Sequence, residues 1–161
     1  MSHLDNFVSG FAMTTAKMQT QEITVCAFIY NPQNQLLIGK RAAHLSFLPN
    51  KYELLGGHIE FGETLQKGLI RELKEEMGID IIVENPFYAF TYLLKNNTRH
   101  TVEIDFFARM KDKNQQFIID PNEHSDYKWV NENEIDTYFD QDDEEKKAII
   151  TGFEILKTKK Y

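Results

Sequence analysis

Apolar positions recur at helical spacing in two stretches of the chain and at strand spacing nearly everywhere else. Between residues 65 and 77, Leu65, Leu69, Ile70, Leu73 and Met77 fall mostly three or four apart, the stripe a helix needs to pack on a core. Gly78 supplies its natural C-terminal stop. A second helical spacing, Ile149, Ile150, Phe153 and Leu156, predicts a helix over 144–157 after the cap-like Asp142 and Asp143. Strands are predicted over 23–30 and 35–40, joined by the turn Asn31-Pro32-Gln33-Asn34 as a hairpin. A short strand over 52–55 follows the loop 42–51, and 81–83 is extended, with Pro86 separating it from the next strand. Residues 87–95 and 100–110 flank Asn96-Asn97, which tolerates left-handed backbone, and form the clearest hairpin in the sequence. Short strands over 117–119 and 127–130 and a helical turn over 133–138 complete the reading. Mixed strands with one helix inside and one at the end predict an α/β fold, a sheet held between helices.

Composition narrows the class. With 161 residues and 42% apolar content the chain can bury one sizeable core, so residues 21–161 are read as a single domain. Residues 1–20, with Phe7, Phe11, Met13 and Met18, are read as an N-terminal arm. A net charge of −7 opposes casual binding to nucleic acid or anionic membrane. The single cysteine, Cys26, lies in an apolar run where a small buried side chain is expected, and it cannot close an internal disulfide, which suits a reducing cytoplasm. No apolar stretch approaches the roughly 20 residues that span a bilayer, and the N-terminus lacks a signal-peptide pattern.

The candidate chemistry sits in and just before the first predicted helix. Glu72, Glu75 and Glu76 are spaced to share one helix face, opposite the apolar stripe. Three like charges within about one turn repel by a few tenths of a kcal/mol per pair, so the cluster gains nothing unless a cation neutralises it. Hard oxygen ligands of this kind suit Mg²⁺ or Mn²⁺. A solvated helix face is the alternative for such a run taken alone. Its neighbours favour a site: Gly56, Gly57, Gly62 and Glu63 precede the helix, where glycines let backbone come close to a ligand or ion. Arg71, four residues before Glu75, is placed to hold that carboxylate.

Taken together, Gly57, Glu63, Arg71, Glu72, Leu73, Glu75, Glu76, Gly78 and Ile79 match every fixed position of Gly-x5-Glu-x7-Arg-Glu-(apolar)-x-Glu-Glu-x-Gly-(apolar). This segment resembles the Nudix box, and it covers residues 57–79 directly. The resemblance implies an α/β/α sandwich with a mixed β-sheet. It also implies divalent-metal-dependent hydrolysis of a nucleoside diphosphate linked to another group, with Glu72, Glu75, Glu76 and the Gly57 carbonyl as metal ligands and Glu63, Arg71 and Gly78 supporting the box. Leu55 stands where a proline commonly precedes the paired glycines. Marks of the ADP-ribose, dinucleoside polyphosphate and coenzyme A enzymes are not seen, which tilts the expectation to a MutT-like enzyme that converts a nucleoside triphosphate, normal or oxidised, to monophosphate and pyrophosphate. An ADP-ribose or nucleotide-sugar pyrophosphatase and a non-catalytic nucleotide-binding domain are the alternatives. For the latter, erosion of the box acids is the expected mark, and none is eroded.

Family members often add a carboxylate from a loop before a strand that carries a tryptophan. Asp120-Pro121-Asn122-Glu123-His124-Ser125-Asp126 precedes Trp129, which makes Glu123 the preferred candidate as metal ligand or general base, with Asp126 and Glu103 behind it. Glu72 and Glu123 both stand as the group that activates water. His58 and Phe61 in the box loop and Arg41 at a strand end are the substrate-binding candidates, with Tyr52 and Phe90 as further rings on which a base could stack. His100 and His124 are read as polar contacts. The expected partners are a small nucleotide and, as an option, a second copy of the chain.

Overall fold

The structure, a computed structural model, describes residues 18–158. Residues 1–17 of the predicted arm lie outside the described residues. Seven strands and three helices follow in order: β1 Thr20–Ile29, β2 Leu36–Arg41, β3 Tyr52–Glu53, β4 Leu55–His58, α1 Leu65–Met77, β5 Ile81–Leu94, β6 Arg99–Met110, β7 His124–Val130, a 3₁₀ turn Glu132–Glu134, α2 Ile135–Tyr138 and α3 Glu144–Thr158.

The strands form two sheets, in the orders β4-β1-β6-β5 and β3-β2-β7. β1 and β6 run parallel, whereas the other pairs are antiparallel, so the first sheet is mixed. Alternation along β1 explains why its second half, residues 25–29, is unbroken in apolar residues: that half is covered on both faces. Val25, Ala27 and Ile29 join Leu69, Leu73 and Met77 of α1 in one core, while Cys26, Phe28 and Tyr30 join Ile149, Phe153 and Leu156 of α3 in the other. Helix α3 comes so close that a Cβ at Gly152 would sit 2.5 Å from the Phe28 ring. Both predicted long helices, and the hairpin turning through Lys95, Asn96 and Asn97 at positive φ, are present. No described helix is long and apolar enough to cross a membrane.

Four strand expectations change. β1 and β2 do not form a hairpin ladder. The Asn31 side chain accepts from the backbone of Gln33 and Gln35 and turns the chain into the second sheet, leaving one bridge, Tyr30 to Leu36. The expected strand over 52–55 is divided: Tyr52–Glu53 pairs with β2, and Leu55–His58 pairs with β1. Pro86 does not end a strand, because β5 is a sheet edge and the proline sits at a bulge, where a missing N–H costs no ladder bond. Residues 117–119 are not a strand. They run past the C-terminus of α1, where Ile118 N–H donates to Met77 O at 2.9 Å and Asp120 N–H to Glu76 O at 2.8 Å. These donors satisfy carbonyls that a helix end otherwise leaves open.

Candidate active site

The box loop and helix are fixed to each other by one guanidinium. Thr64 caps α1 by accepting from Lys67 N–H, and Gly78 closes it at φ 68°, a left-handed conformation that favours glycine. Arg71 donates from Nε and Nη2 to the two Glu63 oxygens, both at 2.9 Å, and from Nη2 to the His58 carbonyl at 3.0 Å. Its Nη1 donates to Glu72 at 3.0 Å and Glu75 at 3.1 Å. The paired guanidinium, with a bond from Glu60 N–H, holds the Glu63 carboxyl down to about 2, and Glu63 in turn raises the Arg71 value. The helper expected for Glu75 is thus first of all the partner of Glu63.

Strand β4 brings Gly57 beneath the helix. A Cβ there would lie 2.5 Å from the Glu72 carboxyl carbon, so any larger residue would push that carboxylate from its place over the loop backbone. Glu72 is half-buried, and burial raises its carboxyl above the ordinary range. The three helix glutamates do not share one environment as their spacing suggested. Glu75 is exposed, Glu72 is intermediate, and Glu76 is 9% exposed among the apolar residues of α1.

Glu76 faces a second cluster that sequence reading missed. His124, the first residue of β7 and 3% exposed, pairs through Nε2 with Glu53 Oε1 at 3.0 Å and turns Nδ1 to within 3.9 Å of Glu76 Oε2. Glu53 accepts from Arg41 Nη1 through both oxygens at 2.9 Å. Burial, then the charges of Glu53, Glu72 and Glu123, push the Glu76 carboxyl up to about 9, against the opposing pull of Arg41. Its Oε2 has no hydrogen-bond partner among the described residues. Glu53 lies in a two-residue strand with no motif around it, so only the fold could bring it here. His124 was seen in the sequence, but its burial against Glu53 was not.

The remaining candidates fall at different distances from this centre. Glu123 is close enough for its charge to act on Glu76, and its carbonyl accepts from Ala42 N–H. Asp126 accepts from the Tyr52 hydroxyl and lies 3.7 Å from Lys128. Glu103 is on the other face of the first sheet, because on β6 it alternates with Ile104 and Phe106, which pack on the α1 side. Arg41 is occupied by Glu53 and by the Phe47 carbonyl. His58 and Phe61 line a cleft of about 440 Å³ beside Glu22 and Glu63. The His58 ring pairs with Glu22 at 3.0 Å, and Phe61 is fully exposed. Tyr52 packs against Tyr138 at 5.0 Å, Phe90 stands between Tyr88 and Tyr92 on β5, and His100 lies 3.5 Å from Gln21.

The residues fit a hard divalent cation. The box loop and α1, with Glu123 before β7, offer oxygen donors from Gly57, Glu72, Glu75, Glu76 and Glu123, the type preferred by Mg²⁺ or Mn²⁺, though no three of the four carboxylates lie within 4.8 Å of one another. A buried carboxylate oxygen with no partner, as at Glu76, is costly unless something positive meets it. A cation held by these oxygens would neutralise the oxygens of a phosphate chain.

Comparison with known proteins places the fold and the family. A solved MutT protein from Methanosarcina mazei Go1 superposes with a TM-score of 0.68, covering 88% of this chain and 98% of that one at 22% identity, a likeness of fold. The 8-oxo-dGTP diphosphatase of Escherichia coli is 44% identical over 62 residues, 38% of this chain and 46% of that protein. Isopentenyl-diphosphate Delta-isomerase 2 of Photorhabdus laumondii is 34% identical over 113 residues, 65% of this chain and 59% of that protein. The chain thus spans about half the length of the curated relatives it matches. The model of the NUDIX domain matches residues 20–151, which include the whole box, both clusters around Glu76 and about half of α3, and the chain belongs to the NUDIX family.

Proposed function

We propose that this protein is a metal-dependent pyrophosphohydrolase that cuts a nucleoside triphosphate, normal or oxidised, to monophosphate and pyrophosphate. The observation that carries the reading is the buried Glu76 carboxylate, with one oxygen unpaired, set beside Glu72 and Gly57 in a complete box. Nudix hydrolases generally use a divalent metal. The segment shared with the E. coli 8-oxo-dGTP diphosphatase supports the choice of substrate.

In this reading the Gly57 carbonyl, Glu72, Glu75, Glu76 and Glu123 hold Mg²⁺ or Mn²⁺. The ion, when bound, neutralises phosphate oxygens and acidifies water. Glu72 or Glu123 takes the proton of the attacking water. The hydroxyl adds to phosphorus, the bridging P–O bond breaks, and the bridging oxygen leaves with pyrophosphate. Arg71 and Glu63 hold the loop and helix in register throughout. His58 and Phe61 contact substrate from the cleft, and Arg41 acts through Glu53.

The test is a phosphate-release screen with Mg²⁺ over normal and oxidised nucleoside triphosphates, ADP-ribose, dinucleoside polyphosphates and nucleotide sugars. Phosphate that appears from triphosphates only with inorganic pyrophosphatase is the expected result. Signal confined to ADP-ribose or a nucleotide sugar with phosphatase overturns the substrate, and silence throughout overturns the hydrolase.

A further inference from the structure

The first sheet carries an acidic group on the face turned away from α1, where the box chemistry has no use for it. Parallel register between β1 and β6 sets Thr24 beside Glu103 and Cys26 beside Asp105. Cys26 Sγ and one carboxylate oxygen from each of Glu103 and Asp105 lie within 4.8 Å of one another, the one such group of three among the described residues. All are nearly closed to solvent: Asp105 is 0%, Glu103 8% and Cys26 9% exposed.

Glu103 has local donors in Thr24, Tyr92 and Cys26. Neither Asp105 oxygen has a hydrogen-bond partner among the described residues, nor does the Thr101 hydroxyl on the same strand. A buried carboxylate with both oxygens unpaired is costly, and a structure keeps one where something neutralises it. A retained proton would neutralise one acid and satisfy one oxygen. A divalent cation would take lone pairs from all three side chains at once.

We infer that Cys26, Glu103 and Asp105 form a second metal site, for a zinc-type transition ion. Thiolate with carboxylates is a donor set for Zn²⁺, whereas Mg²⁺ and Ca²⁺ take oxygen alone. With Zn–S and Zn–O bonds of roughly 2.0–2.3 Å, tetrahedral ligand atoms stand about 3.6 Å apart, so the present spacing closes by small side-chain rotations. Burial holds the thiol above its usual range and the Asp105 carboxyl up to about 8, so the ion enters by displacing their protons to water. The bound ion ties β1 to β6 and leaves the oxygen-only box to its own metal.

Cys26 is the single cysteine of the chain, which makes cobalt a specific probe. The chelator-treated, dialysed full-length protein is titrated with Co²⁺. The expected result is a near-ultraviolet thiolate-to-cobalt band that saturates at one equivalent and is bleached by Zn²⁺. It disappears in Cys26→Ser and needs at least tenfold more Co²⁺ in Asp105→Asn, while Mn²⁺ binding followed by electron paramagnetic resonance is unchanged in both. Far-ultraviolet circular dichroism checks that each variant is folded, and Cys26→Ser keeps the shape of the side chain should Asp105→Asn fail. No band in the wild type up to millimolar Co²⁺, or a band that survives Cys26→Ser, overturns the site and leaves a retained proton as the occupant.

Discussion

Replacing Glu76 by glutamine separates the proposed metal role of this residue from its structural one. In the folded chain its carboxyl titrates at about 9, against an ordinary 4.5. Between these values the folded state holds the proton more tightly than the unfolded state, so stability is greatest at acid pH and falls as pH rises through the window. Each pH unit in that window costs about 1.4 kcal/mol, which gives about 3 kcal/mol at pH 7. Rotation of the side chain towards water recovers part of it. Half, about 1.5 kcal/mol, corresponds to ~3–6 °C in Tm for a chain of this size. Glutamine has the shape of the protonated acid and no such cost. In chelator-treated buffer Glu76→Gln should therefore melt higher than wild type at pH 7–8, with the gap shrinking to under about 1 kcal/mol near pH 5. Adding Mn²⁺ should raise the wild-type Tm by binding linkage and the variant much less, and turnover should be lost. The assay is differential scanning fluorimetry across pH, with and without Mn²⁺, beside the phosphate-release rate. A variant that melts below wild type at pH 8 without metal, or that keeps the wild-type kcat, refutes the reasoning.

Other outcomes follow from the same geometry. Gly57→Ala, whose Cβ would press on the Glu72 carboxylate, should lower kcat by at least tenfold while circular dichroism stays native. Arg71→Met should cost more than Glu75→Gln in both Tm and kcat, because it releases Glu63, Glu72 and the His58 carbonyl together; equal effects on melting would argue against the brace. Phe61→Ala should raise KM several-fold with Tm unmoved, since the ring is fully exposed, and an unchanged KM removes it from substrate binding. Chelation by EDTA should abolish phosphate release, with Mg²⁺ or Mn²⁺ restoring it.

What the sequence disclosed and what it withheld divide along the reach of the interactions. Helix α1, its glycine stop and the Asn96-Asn97 turn rest on neighbours a few residues apart, and periodicity revealed them. The pairing of β1 with β4 and β6 rather than β2 depends on strands brought from far along the chain, and a turn with good hairpin residues hid it. Residues 117–119 have strand composition, yet the open carbonyls of α1 claimed their N–H groups. At the site, the helix glutamates were legible as a set, but their division into exposed, half-buried and buried members was not. The Glu53–His124 pair joins residues 71 positions apart and left no local pattern. Glu103 had the right chemistry for the box and the wrong strand parity.

The passage of residues 118–120 along the end of α1 has a mechanical consequence. Two backbone bonds fix this segment to the carbonyls of Met77 and Glu76, and Glu123 follows three residues later, its own N–H donating to Asp120 O at 3.1 Å. The distance between Glu76 and Glu123 is thereby gauged by main chain rather than by side chains. The connection over 111–116 is anchored near the same helix end, by Lys111 N–H and the Gln115 side chain on the Asp80 backbone, so residues added or removed there should disturb the gauge as well. A single residue inserted between Asp120 and Glu123 shifts one jaw of a caliper whose other jaw is the helix itself.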